Sequence, residues 1–197
     1  MSRIAPGTGT IQTELDTYAA LAQRFAADPS NAERVETLAR VCAEAVRAGG
    51  KLLAVGNGGS CADAVHFCEE LTGRYRDDRD PIPAIACADA GHITCVGNDY
   101  GFEQIFSRWV RGLGNPGDVL IVLSTSGNSA NIVGAVEAAR ERGLHTAALL
   151  GKGGGVLAGV VETEWVVPGE TSDRIQELHM LVLHTLVGAI ERILGDS

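Results

Sequence analysis

The chain has 197 residues, enough for one domain with a sizeable buried core, and it carries a net charge of −9. That acidity argues against a nucleic-acid or anionic-membrane surface, since the densest basic stretch, residues 74–79, is interleaved with Asp77 and Asp78 and reads as a solvated loop. Five cysteines without a CxxC spacing argue for reduced thiols, against a disulfide framework or a thiolate zinc site.

The N-terminus lacks the apolar segment of a signal peptide, and no apolar run reaches the roughly 20 residues needed to span a bilayer. A soluble, cytoplasmic protein is expected. Ile11, Leu15, Tyr18, Leu21 and Phe25 recur at helical spacing and predict an amphipathic helix over residues 11–27. Asp28-Pro29-Ser30-Asn31 ends it and caps a second helix, with Val35, Leu38, Cys42, Ala45 and Val46 on its apolar face. Gly49 and Gly50 stop that helix.

From residue 51 apolar strands alternate with helices. A strand at 51–55 leads through the loop GNGGS into a helix; a strand at 84–87 and a helical stretch at 102–113 follow. A strand at 119–123 leads through STSGNS into a helix that ends before Gly143. A strand at 146–150, the loop GKGGG and a short strand at 165–167 complete the series. This βαβ rhythm calls for a mostly parallel sheet with helices on both faces. The final helix, 172–194, is apolar on nearly all sides through its middle, which predicts burial between the sheet and a second subunit. No repeat or linker divides the chain, so a single domain over 1–197 is expected, with N-terminal helices at about 11–48 and an α/β core at about 49–197.

Chemistry concentrates in a few places. His66 and Glu70 lie four residues apart, on one helical face, and suit a metal, a proton transfer or both. GNGGS lets backbone N–H groups approach a ligand, while Ser60 is expected to cap the following helix in a box with Asp63; a tight turn without a ligand is the plainer alternative. STSGNS places Ser124, Thr125, Ser126 and Ser129 at a strand's carboxyl end, which suits a phosphate held by hydroxyls and a helix N-terminus. Asn98 and Asp99 fall where a strand-to-helix connection should expose them, as ligand contacts or as an Asx turn. Gln176 and His184 stand out on the last helix, but spacing does not separate His184 from His179, and either can be a hydrogen-bonded core residue. His92 and His145 receive no role.

Taken together, GNGGS, HFCEELTGRY, VGNDYGFEQIFSR, GDVLIVLSTSGNSANI, GKGGG and DRIQELHMLVLH resemble, in order and spacing, the phosphoheptose isomerases of the sugar isomerase (SIS) domain family. The resemblance spans about residues 49–194. It implies a flavodoxin-like three-layer α/β sandwich, a homotetramer with active sites at subunit interfaces, and conversion of sedoheptulose 7-phosphate into D-glycero-D-manno-heptose 7-phosphate. It also implies zinc, on His66, Glu70, Gln176 and His184, with Glu70 and His184 as the acid/base pair. Substrate contacts carry over to Asn57, Gly58, Gly59, Ser60, Glu70, Asn98, Asp99, Ser124, Thr125, Ser126, Ser129 and Gln176, and to Arg74 and Asp173. Cys61 and Val65, just after GNGGS, depart from the family pattern.

Two alternatives accompany this reading: a non-catalytic SIS adaptor of the kind that binds a replication initiator, which lacks a histidine matching His184, and an isomerase of another sugar phosphate. Gln176 and His184 are eight residues apart, about 12 Å along one helix. The site is therefore expected to draw on more than one subunit.

Overall fold

The structure, a computed structural model, describes residues 10–195. Thr10 caps α1 (Ile11–Ala26) by accepting a hydrogen bond from the Thr13 N–H. Asp28 caps α2 (Pro29–Arg47) by accepting from the Ser30 N–H, with Pro29 in the first helical position, where its missing N–H costs nothing. The chain continues through β1 (Leu52–Gly56), α3 (Gly59–Thr72), β2 (Ala84–Ala86), α4 (Ala90–Asp99), a 3-10 turn at Phe102–Gln104, α5 (Ile105–Leu113) and β3 (Val119–Ser124). It then forms α6 (Ala130–Arg142), β4 (His145–Leu150), a 3-10 turn at Gly155–Leu157, β5 (Thr163–Val166) and α7 (Ser172–Gly195).

The sheet is parallel throughout, in the order β2-β1-β3-β4-β5, which is the flavodoxin-like order. Alternate strand residues serve opposite faces. Leu52, Ala54, Ile121 and Leu149 pack with Leu38 of α2, Phe67 and Leu71 of α3 and Leu178 and Leu186 of α7. Leu53, Val55, Leu120 and Val122 pack with Phe106 and Val110 of α5 and Ile132 and Val136 of α6. Burial on both faces is why β1 and β3 read as unbroken apolar runs. Gly143 ends α6 in the left-handed conformation, φ +74°.

Four expectations change. The helix α4 was not foreseen: AGHITCVGND buries only Val96, so no apolar stripe announces it, and it is started by Asp89, which accepts from the His92 N–H. Ser60 is not a cap. Gly58, at φ +56°, occupies the cap position without any side-chain bond, and Ser60 lies buried in the first turn, where its carbonyl would meet any Cβ on Gly56. Arg79 is not part of a solvated loop, as described below. Finally, α7 has 24 residues and includes an 18-residue stretch of mean hydropathy 1.3, long and apolar enough by length and composition to cross a bilayer, where no such segment was expected. Its apolarity belongs to the chain's own core: Ile175, Leu178, Val182, Leu183, Leu186, Val187 and Ile190 are all buried against the sheet and neighbouring helices, while Leu181 remains 37% exposed.

Candidate active site

From β1 the chain steps outward to β2, then returns to place β3 on the other side of β1. The loops after β1 and β3 therefore diverge over a crevice at the sheet's carboxyl edge, the position where open α/β sheets hold ligands. Those loops are GNGGS and STSGNS. They are clasped together by two carboxamides: Asn57 Nδ2 donates to Asn131 Oδ1 at 2.9 Å, and Asn131 Nδ2 donates back to Asn57 Oδ1 at 2.8 Å. Asn131, buried in the first turn of α6, was not singled out from sequence; a polar residue two positions past Ser129 is an ordinary helix-start residue until the fold supplies its partner. The clasp engages both ends of the Asn57 side chain, and Gly58 and Gly59 just beyond it are exposed. Gly59 has no room for more, since a Cβ there would come within 2.4 Å of Gln176 Nε2.

In the second loop, Ser124 Oγ accepts from the Gly127 N–H at 3.0 Å, and Ser126 Oγ accepts from the Asn128 N–H at 3.2 Å. Thr125 Oγ1 lies 3.2 Å from Ser172 Oγ at the start of α7. Ser129 occupies the cap position of α6 without a side-chain capping bond. Hydroxyls, a glycine at φ +63° and a helix N-terminus thus meet in six residues.

The second cluster is made by helices. His66 and Glu70 on α3 meet His184 on α7, with their ligand-type atoms all within 4.8 Å of one another. Glu70 Oε1 lies 3.3 Å from His66 Nε2 and 3.5 Å from His184 Nε2. The Glu70 side chain is only 9% exposed and its Oε2 is buried without a hydrogen-bond partner among the described residues, while the imidazoles are partly open at 46% and 38%. Tyr75 stacks on the His184 ring, centroids 6.0 Å apart. A buried carboxylate with an unsatisfied oxygen, flanked by two imidazoles, calls for a cation. These nitrogen and oxygen donors fit a metal ion such as zinc.

Three of the four expected ligands therefore come together within one chain, and the spacing argument for a site shared between subunits bears on Gln176. Its amide packs on Gly59 and faces Asp63, in the amino-terminal half of α3. Burial pushes the Asp63 carboxyl above its usual range, with His66 and Gln176 opposing. Gln176 and His184 both line a cleft of about 490 Å³ with Gly59, Asp63 and Tyr18.

Structure also separates the two histidines that spacing could not. His179 is fully buried, its Nε2 bonded to the Leu150 carbonyl at 3.2 Å, and burial pulls its pKa down to about 4. His184 is the one beside Glu70. Asn98 and Asp99 are exposed as expected but end α4 instead of starting a helix, with Asn98 Nδ2 donating to Asp99 Oδ1 at 2.7 Å. Arg74 is exposed just past α3, and Asp173 is exposed in the first turn of α7, its carboxyl held low by the Thr171 hydroxyl and then by Arg174.

Arg79 is the residue that composition most misrepresented. It folds back on the end of α3, donating from Nη2 to the Glu70 carbonyl and from Nη1 to the Leu71 carbonyl, both at 2.7 Å, and from Nε to Glu191 Oε1 on α7 at 2.9 Å. It ties the two helices that carry Glu70 and His184.

This sheet order, with a hydroxyl-lined loop at its switch point, defines a doubly wound α/β protein whose crevice suits a small anionic ligand. Residues 15–151 match the family described as the SIS domain. The phosphoheptose isomerase of Escherichia fergusonii is 50% identical over 183 residues, covering 92% of this chain and 95% of that protein. The phosphoheptose isomerase structure from Neisseria gonorrhoeae superposes with a TM-score of 0.84 at 38% identity, covering 91% of this chain and 97% of that one. The Francisella tularensis structure does so with a TM-score of 0.84 at 36% identity, covering 93% and 100%. The chain belongs to the SIS domain family, among its phosphoheptose isomerases.

Proposed function

We propose that this protein converts sedoheptulose 7-phosphate into D-glycero-D-manno-heptose 7-phosphate, an isomerisation through an enediolate that opens nucleotide-activated heptose biosynthesis. The observation that carries this reading is Glu70, a buried carboxylate between two imidazoles on a chain half identical to phosphoheptose isomerases.

Glu70 is the base: it takes a proton from the carbon beside the carbonyl and returns it to the neighbouring carbon. His184, at the same carboxylate oxygen, is the acid that passes a proton between the two enediolate oxygens. Ser124, Thr125, Ser126 and Ser129 hold the phosphate at the N-terminus of α6 and so determine which carbon faces Glu70. Asn57, Gly58, Gly59, Ser60, Arg74, Asn98, Asp99, Asp173 and Gln176 line the sugar; the clasp with Asn131 makes the Asn57 contribution a main-chain one. His66, Glu70 and His184, with Gln176, are the residues that would hold zinc, whose Lewis acidity would stabilise the oxyanion.

We further read the chain as a single SIS domain over 1–197 in a cytoplasmic homotetramer, with no nucleic-acid or membrane partner. From Gly59 to Glu70 is eleven residues, so Glu70 lies roughly 16 Å down α3 from the crevice. That exceeds the reach of an extended seven-carbon sugar phosphate, and a partner's phosphate loop set against α3 would close the gap. Ile11, Leu15, Val65 and Leu181 are exposed apolar side chains suited to such packing.

The test is to incubate the purified protein with sedoheptulose 7-phosphate in deuterated water and follow the aldose by NMR. Aldose should accumulate, with deuterium at the carbon that receives the proton to the extent that Glu70 exchanges with solvent. Absence of aldose with and without added zinc would overturn the assignment.

A further inference from the structure

We propose that Lys152 is the cation of the phosphate subsite and that the loop GKGGG, residues 151–155, forms its second wall. The inference rests on reading residues 124–129 as the phosphate anchor. A phosphate monoester carries a charge of about −1.5 to −2 at pH 7. Residues 124–133 contain no cationic side chain to meet it, so the anchor as read from sequence is made of neutral donors alone.

The structure brings one cation to it. GKGGG lies flush against STSGNS: a Cβ on Gly127 would fall 1.8 Å from the Gly154 carbonyl oxygen, and one on Gly155 would fall 2.3 Å from that of Ser126. Asn128 Oδ1 accepts from the Val156 N–H at 3.0 Å, so the two loops form one unit. Gly153, Gly154 and Gly155 all take positive φ, and so does Lys152, at +50°, the only residue other than glycine to do so among those described. A left-handed backbone is uncommon for a residue with a Cβ, so the turn constrains where the Lys152 side chain starts. Lys152 Nζ donates to Ser172 Oγ at 3.3 Å, and Ser172 Oγ lies 3.2 Å from Thr125 Oγ1. The ammonium is therefore one hydroxyl away from the anchor, at the N-terminus of α7, exposed and able to swing onto a bound phosphate.

The experiment compares wild type, Lys152→Ala and Lys152→Arg as full chains. With sedoheptulose 7-phosphate, Lys152→Ala should raise KM about tenfold to a hundredfold, the loss of a charge-assisted contact, with kcat falling far less than KM rises. The inhibition constant of inorganic phosphate should rise in parallel, Lys152→Arg should recover part of both, and thermal melting should stay unchanged because the side chain is exposed. Unchanged KM and phosphate inhibition in Lys152→Ala, beside an active wild type, would overturn the proposal. So would a KM effect matched by a lower melting temperature and not recovered by arginine. If wild type fails to turn over, the isomerase assignment falls by itself, and calorimetric titration with inorganic phosphate still decides the role of Lys152: weaker binding in Lys152→Ala sustains it, equal binding removes it.

Discussion

The two halves of the candidate site are built on different principles. The crevice at the sheet edge is made of two loops rich in glycines and hydroxyls at strand ends, and they are tied together by the Asn57–Asn131 clasp. The cluster on α3 and α7 is made of three side chains brought from helices far apart in sequence, and its geometry depends on how those helices pack. A backbone-built site tolerates loss of one hydroxyl but not a change of shape, whereas a side-chain-built site can lose its chemistry through one atom while the fold stands. That contrast sets the order of effects expected on substitution.

The largest effect is expected at the helix cluster. Glu70→Gln keeps the volume but removes the base, and should lower kcat about a thousandfold, roughly 4 kcal/mol, in a steady-state assay, with the circular dichroism melt preserved. A variant retaining activity within tenfold, on the order of 1.4 kcal/mol, would remove Glu70 from the base role.

Next comes the other histidine of α7. The pKa of His179, about 4 in the folded chain against 6.5 as the ordinary value, is depressed by burial. The unfolded chain then binds the extra proton between those values, so stability is complete above about pH 6.5 and is lost as pH falls toward 4, by about 3 kcal/mol in all. Urea melts at pH 7, 5 and 4 should show this slope in wild type and a shallower one in His179→Gln. An equal slope in both would place the acid sensitivity elsewhere. Loss of activity in His179→Gln at pH 7 without loss of stability would blur the distinction between the core histidine and His184.

Arg79→Ala should cost about 2 kcal/mol, because carbonyls at the end of α3 and Glu191 lose a charged donor. For a chain of this size that is roughly 4–8 °C in Tm. Activity should fall with it, since α3 and α7 lose their tie. An unchanged Tm would show that the helix pair holds its geometry by apolar packing alone.

The smallest effect should come from the crevice. Asn131→Ala removes the clasp at a cost of about 1 kcal/mol and should raise KM for the sugar phosphate more than it lowers kcat. A change in kcat comparable to that of Glu70→Gln would break the division between a shaping crevice and a reacting cluster.

Much of the fold was legible because burial writes itself into local pattern. The strands around Leu53 and Ile121, buried on both faces, appear as unbroken apolar runs, and Gly143 and Asp28 mark helix ends by conformational and hydrogen-bonding rules that need no tertiary context. The helix α4 was hidden because a helix that buries one valine leaves no periodic trace. Arg79 looked solvated because its charged neighbours are, although its own guanidinium turns inward.

By itself, the amino-acid sequence determined the alternation of strands and helices, the two loops at strand ends and the pairing of His66 with Glu70, since each depends on residues within a few positions of one another. Spacing left His179 and His184 equivalent, the resemblance chose His184, and only the tertiary structure showed that His184 meets Glu70, that Asn57 is held by Asn131, and that Lys152 reaches Ser172, the neighbour of Thr125. The physical reason is distance along the chain: helix and strand periodicities orient side chains within an element, but the meeting of α3 with α7, or of GKGGG with STSGNS, follows from packing across the whole sheet, where apolar burial sets positions that no local pattern encodes.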